Sequence, residues 1–225
     1  MYRSEINKLI DKSITFAEHV GFVLPPFAKW TVDDWKSKGS DGEHINIYKS
    51  GLGWDVSDYG FGEFLKTGII ALTIRNGIEK IYKHEKTYAE KLLFLEPNQN
   101  VPIHFHPFKI EDLINRSGDV FYIKLYNVNE DNSIDMESPV PTFMDGRTFT
   151  VNPGEIITVK PGESITLMPR QYHQFWTEKE KTLFGEVTMT DNTHHFYNCK
   201  PSETKIIEDV PLKYLLTSDY SVHVM

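Results

Sequence analysis

The sequence predicts a mainly β protein, a closed barrel or sandwich that carries a helical arm at its N-terminus. From Gly51 onward, clusters of Gly, Asn, Asp and Pro divide the chain into short runs rich in Val, Ile, Thr, Phe and Tyr, the pattern of many short strands joined by turns. Helical spacing is concentrated before residue 35 and scarce after it. Aromatic residues make up 13% of the 225 positions, and ring side chains of this kind fill β cores.

The arm comes first. Ile6, Leu9, Ile10, Ser13, Ala17 and Val20 fall at helical spacing within residues 4–20, with Glu5, Lys8, Lys12 and Glu18 between them. One amphipathic helix is expected there, with Ser4 as its N-cap. It would pack on the barrel, form a dimer contact, or both. LPPF (24–27) stops any helix, because proline lacks an N–H and restricts the residue before it. Thr31–Trp35 reads as a short capped helix. Strands are expected at 68–75, 88–95, 101–106, 120–126, 147–151, 155–159, 164–168, 172–177 and 183–190, with a helical turn at Ile110–Asn115. No internal repeat or low-complexity linker interrupts the pattern. One domain is expected, with residues 1–50 as a helical extension and 51–225 as the barrel.

A formal charge of −8 without a basic cluster argues against a nucleic-acid partner, since phosphate binding needs a concentrated positive face. MYRSEINKLIDKS carries charges throughout and lacks the apolar core of a signal peptide. No run approaches the roughly 20 apolar residues that cross a bilayer. Cys199 is the single cysteine, which excludes an internal disulfide framework and a multi-cysteine zinc site. A protein of the reducing cytoplasm is expected, with no nucleic acid and no membrane.

The chemistry concentrates in two segments. His104 and His106 lie two apart in NQNVPIHFHPFKIEDLINRSG, and on a strand such residues project from one face, so both imidazoles can reach one ion. Glu111 follows after four residues, room for a turn that returns a carboxylate to that ion, and Gly118 suits the turn before the next strand. About 60 residues on, PGESITLMPRQYHQFW places His173 just after a turn at Pro169. Three neutral imidazoles and a carboxylate suit Mn²⁺, Fe²⁺, Co²⁺, Ni²⁺ or Zn²⁺. An octahedral ion so held keeps two positions for adjacent substrate oxygens. His104, His106, Glu111 and His173 are therefore the candidate ligands of one divalent metal.

These segments resemble the paired cupin motifs, G(X)5HXH(X)3–4E(X)6G and G(X)5PXG(X)2H(X)3N. Asn98 stands in place of the first glycine, Gly162 to Pro169 is one residue longer, Pro169 to His173 is one shorter, Gln171 replaces a glycine, and Thr177 holds the last Asn position. None of these removes a ligand, and Asn tolerates a left-handed backbone. The resemblance extends to the D-lyxose isomerase family through LPPFAKW (24–30), LGWDVSDYG (52–60), LTIRNG (72–77), HFHPFKIEDLINRSG (104–118) and FGEVTMTDN (184–192). Residues 193–205 depart from it most.

The resemblance implies a cupin barrel, the double-stranded β-helix. It also implies an aldose–ketose isomerase of D-lyxose and D-xylulose, often also of D-mannose and D-fructose, and a homodimer using Mn²⁺. The hydrogen would move between C1 and C2 by proton transfer through a cis-enediol or by hydride shift. Lys109, at the mouth of such a site, would donate to a substrate oxygen or stabilise an enediolate; the alternative is a solvated loop lysine. Glu111 would serve as ligand only, or as ligand and proton shuttle. Glu186 alternates with its neighbours on a strand and is a candidate acid/base, or else faces solvent. His195, from the His194–His195 pair, and Glu208, beside Asp209, are the further candidate sugar contacts, against a plain surface role for each. Trp54 and Asp55 read as fold-forming, and Cys199 as an ordinary thiol. Two other roles compete: a different cupin enzyme, either a phosphosugar isomerase drawing on Arg116, Arg147 or Arg170 or an iron dioxygenase, and a non-enzymatic sugar-binding cupin.

Overall fold

Helix α1 (Arg3–His19) forms where the apolar spacing predicts it and buries Ile6, Leu9, Ile10, Ser13, Ile14 and Ala17 along one face. The computed structural model describes residues 1–38, 42–77, 86–117, 119–190 and 203–220. The N-cap is Tyr2, two residues earlier than expected, and its backbone N–H donates to Glu5 Oε2 at 2.8 Å. Ser4 instead lies inside the helix and donates its hydroxyl to Asp209 Oδ2 at 2.5 Å. The serine is drawn away because the C-terminal segment runs alongside: Tyr2 bridges Ile207, and the terminal ammonium of Met1 donates to Lys205 O at 2.6 Å. Gly21, at φ 79°, ends the helix, its left-handed backbone letting Phe22 N–H return to Ala17 O at 2.8 Å.

Pro26–Lys29 makes a single 3₁₀ turn after the proline stop. Helix α2 (Val32–Lys38) starts on Thr31, whose hydroxyl accepts from Asp34 N–H at 3.2 Å while its own N–H donates to Asp34 Oδ2 at 2.9 Å, the reciprocal capping expected from the sequence. Helix α3 (Ile45–Lys49) completes the helical part.

Thirteen strands follow among the described residues: β1 (Gly53–Ser57), β2 (Ile69–Arg75), β3 (Tyr88–Leu95), β4 (Asn100–His104), β5 (Glu111–Asn115), β6 (Phe121–Val128), β7 (Ile134–Asp135), β8 (Val140–Met144), β9 (Arg147–Val151), β10 (Ile156–Val159), β11 (Ser164–Leu167), β12 (Gln171–Trp176) and β13 (Thr182–Met189). They build two curled antiparallel sheets, ordered β1-β2-β3-β13-β5-β11-β8-β9 and β10-β6-β12-β4, with β7 beside β6. Strands distant in sequence pair directly, β3 with β13 and β5 with β11, as a double-stranded β-helix requires. The fold is a cupin barrel with an N-terminal helical arm.

Residues 110–115 do not form the expected helical turn. Glu111–Asn115 is β5, lodged between β13 and β11, with Glu111, Leu113 and Asn115 buried and Asp112 and Ile114 half-buried. Cross-strand pairing on both sides satisfies its backbone, so tertiary context overrides a weak local pattern.

Alternation along the strands separates two apolar layers. Trp54, Ile70, Leu72, Leu92, Phe94 and Leu183 face α1, while Leu93, Leu95, Leu113, Ile123, Phe175 and Phe184 meet between the sheets. Trp54 is fold-forming: it is buried, and its Nε1–H donates to Ala28 O at 2.8 Å, tying the arm to β1. Ile10 is fully buried under α1. Ile10→Ala is expected to cost about 2–5 kcal/mol, read as a lower denaturation midpoint at unchanged slope; a midpoint equal to wild type would mean the arm contributes no packing.

No helix among the described residues is long and apolar enough to cross a membrane.

Candidate active site

The large sheet offers its inner face to a cavity of about 1220 Å³, lined by Asp55, Ser57, Thr73, Lys91, Glu111 and Glu186 among others. His104 enters from the end of β4, and His106 lies just past it. Period-2 alternation alone would not put both Val101 and His104 inside. β4 carries a bulge that shifts its register against β12 between His104↔His173 and Val101↔Phe175. The extra residue reverses the phase, so Val101 joins the core and His104 faces His173 across the ladder.

The turn ahead of β12 is fixed by Arg170 at φ 57° after Pro169. The left-handed position that the cupin pattern gives to glycine falls on Arg170, not Gln171, which accounts for the compensating changes in spacing. Arg170 N–H donates to His106 O at 2.8 Å, joining the two motif loops. Asn98, at φ 61°, takes the left-handed backbone expected of it.

The histidines are oriented by their second nitrogens. His104 Nδ1 lies 2.8 Å from Pro102 O, and His173 Nδ1 lies 3.0 Å from Gln171 O. A carbonyl only accepts, so each Nδ1 carries the hydrogen and each Nε2 presents a lone pair. Those two Nε2 atoms stand 3.0 Å apart. Burial pushes the pKa of His104 well down, with the neighbouring His173 charge adding to it, and burial also lowers His106 and His173 to about 4. At neutral pH the rings are neutral, and two bare lone pairs face each other across a buried gap. Such an arrangement suits a shared cation. The ligand atoms of His104, His106 and His173 all fall within 4.8 Å of one another.

Glu111 closes the cluster, with Oε1 3.4 Å from His173 Nε2 and Oε2 3.7 Å from His106 Nε2. Burial alone would raise its pKa, but the charges of Lys109, His106 and His173 outweigh it and hold the carboxyl well below the usual range. Lys109 Nζ is 2.7 Å from Oε2, a close ion pair that adds to the lowering. The donor set and the facing lone pairs fit a borderline divalent ion.

Lys109 then bridges to a second carboxylate, its Nζ 3.3 Å from Glu186 Oε1. Glu186 faces inward from β13 and is 8% exposed. Lys91, directly opposite on β3, lies 3.4 Å from the same oxygen. Glu111, Lys109, Glu186 and Lys91 thus form a row of alternating charge beside the imidazoles, its carboxylates buried and its lysines half-buried. Lys91 and Thr73 were not singled out in the sequence. Their signal is phase: Lys91 alternates with inward Leu93 and Leu95, a charge in an otherwise apolar run. Asp55, expected as fold-forming, lines the cavity.

Glu208 is not brought to the site. It is exposed and pairs with Arg3 at 2.5 Å, because the 205–209 segment is held against the start of α1. His195, with His194, Cys199 and Gly118, lies outside the described residues. Arg116, Arg147 and Arg170 are exposed and absent from the cavity lining; Arg170 is spent on Asn132 Oδ1 and Asn129 O at 3.1 and 2.7 Å.

A family description, D-lyxose isomerase, matches residues 1–220. The chain belongs to the D-lyxose isomerase family. It is 33% identical over 225 residues to the D-lyxose/D-mannose isomerase of Escherichia coli O157:H7, and 32% identical to that of Serratia proteamaculans, covering 98% of both chains in each pair. The D-lyxose isomerase family places it among sugar isomerases. In fold it resembles the L-ribose isomerase of Geodermatophilus obscurus, with a TM-score of 0.58 at 13% identity over 92% of this chain and 98% of that one. The L-ribose isomerase of Cellulomonas parahominis gives a TM-score of 0.55 at 12% identity, with the same coverage.

Proposed function

We propose that this chain interconverts D-lyxose with D-xylulose, and D-mannose with D-fructose, with one divalent ion held by His104, His106, Glu111 and His173. Mn²⁺ is the first candidate. The observation that carries this reading is the second carboxylate, Glu186, held by lysines beside a three-imidazole cluster. When bound, the ion would polarise a substrate carbonyl and orient adjacent oxygens.

The protein's own groups account for the hydrogen movement. Glu186 accepts the C2 proton of the aldose: the C2–H bond breaks, an O–H bond forms on the carboxylate, and the electron pair enters the C1–C2 double bond of the enediol. Lys109 gives a proton to O1 in the same step, which places a donor where negative charge develops. Return of the Glu186 proton to C1 and of the O2 proton to Lys109 yields the ketose and restores both residues.

A phosphosugar substrate is less well supported, since the arginines it would need line no part of the cavity. On the family reading the enzyme works as a cytoplasmic homodimer on free monosaccharides.

The test is a screen of free pentoses and hexoses with Mn²⁺-loaded protein in D₂O, the sugars being recovered and read by NMR. D-Lyxose and D-mannose are expected to convert fastest, with deuterium entering at C1 of the ketose. Conversion without deuterium would replace the proton path by a hydride shift. No conversion of any sugar would defeat the isomerase reading.

A further inference from the structure

We infer that Lys91 is a positioning residue that, together with Lys109, fixes which oxygen of Glu186 meets the substrate. The inference rests on the isomerase reading above.

Both ammonium groups fall on one atom. Lys109 Nζ lies 3.3 Å and Lys91 Nζ 3.4 Å from Glu186 Oε1. Among the described residues, the hydrogen bond and both ion pairs of Glu186 are made at Oε1. A carboxylate is symmetric in water, but two cations on one oxygen break that symmetry: they anchor Oε1 and leave Oε2 as the accepting lone pair. Lys109 cannot do this by itself, because it stands closer to Glu111, at 2.7 Å. Its charge is shared between two carboxylates, and the shorter pair is the other one.

The backbone supplies the second cation at a fixed place. Glu186 and Lys91 are directly paired across β13 and β3, so their Cβ atoms start about 4.5–5.5 Å apart on the same face. Side-chain exposure is 18% for Lys91 and 10% for Glu186, which leaves little room for either to swing into solvent. A carboxylate this short of water needs a partner to hold its aim. Lys91 provides charge and aim without needing to touch the sugar.

The experiment is a double-mutant cycle with a structural arm. Lys91→Met keeps the length of the stem and removes the charge; it is expected to lower kcat roughly 10–100-fold, the size of loss found when an orienting partner is removed, while KM changes little. Lys91→Arg, which returns a cation to Oε1, is expected to recover most of that loss. Added to Glu186→Gln, Lys91→Met is expected to cost almost nothing more, because a residue acting only through Glu186 has nothing left to position. Full additivity in the cycle, or a Lys91→Met variant impaired in KM alone, would overturn the inference. A crystal structure of Lys91→Met decides the geometry independently of turnover. The Glu186 carboxylate is expected to rotate so that Oε1 leaves its present place, and an unmoved carboxylate would overturn the inference even if the chain isomerises sugars. A wild-type protein that turns over no sugar would sink the isomerase reading instead.

Discussion

Glu186→Gln is expected to lower kcat by roughly 10²–10⁴-fold, the range a positioned general base contributes. The substitution keeps the volume and a carbonyl oxygen for the lysines, so the change isolates basicity. Glu186 is 8% exposed and sits in the row Glu111–Lys109–Glu186–Lys91. An amide there cannot accept a carbon-bound proton, whatever its orientation. Exchange of the C2 hydrogen with D₂O should therefore fall in parallel with kcat, while bound metal per subunit stays unchanged. A variant with wild-type kcat would remove Glu186 from the proton path. Exchange that persists while isomerisation fails would assign the first proton transfer to another group, with Glu111 the neighbour to examine.

Much of this arrangement was legible because the cavity is built from period-2 strands. The His-x-His pair, the Glu five residues further and the histidine after a Pro turn specify residue types that chemistry rarely assembles without an ion. Helix α1 was legible from its 3.6-residue spacing. What the sequence withheld has identifiable causes. β5 hides its alternation, since Asp112 and Ile114 face outward together and Glu111 faces in; only pairing with β13 and β11 makes it a strand. β1 is short and opens on Gly53, and β8 contains Pro141, both features that lower a strand reading. The bulge in β4 depends on its partner β12, so strict alternation along β4 alone would place Val101 and His104 on opposite faces. Lys91 needed the register between β3 and β13 before its charge acquired meaning. Glu208 shows the converse: an acidic residue suited to hydroxyls by type is committed to Arg3 by the path of the chain.

Chelation of the metal is expected to abolish turnover, with Mn²⁺ restoring it, and His173→Ala is expected to prevent the restoration. The reason lies in the 3.0 Å separation of His104 Nε2 and His173 Nε2, each with its hydrogen committed at Nδ1 to a backbone carbonyl. Without an ion the folded state bears that lone-pair conflict; with one, it is relieved. Metal should therefore stabilise the fold as well as activate it. At a free ion concentration near 100 times Kd, linkage gives about 2.7 kcal/mol, equivalent to a rise in Tm of roughly 5–11 °C for a chain of this size. His173→Ala removes one of the facing lone pairs, so the variant should lose the metal-dependent part of Tm while its chelated form melts close to chelated wild type, less the cost of the small cavity. A wild-type Tm indifferent to Mn²⁺, Fe²⁺, Co²⁺, Ni²⁺ and Zn²⁺ alike would mean that the imidazoles are arranged for something other than a cation.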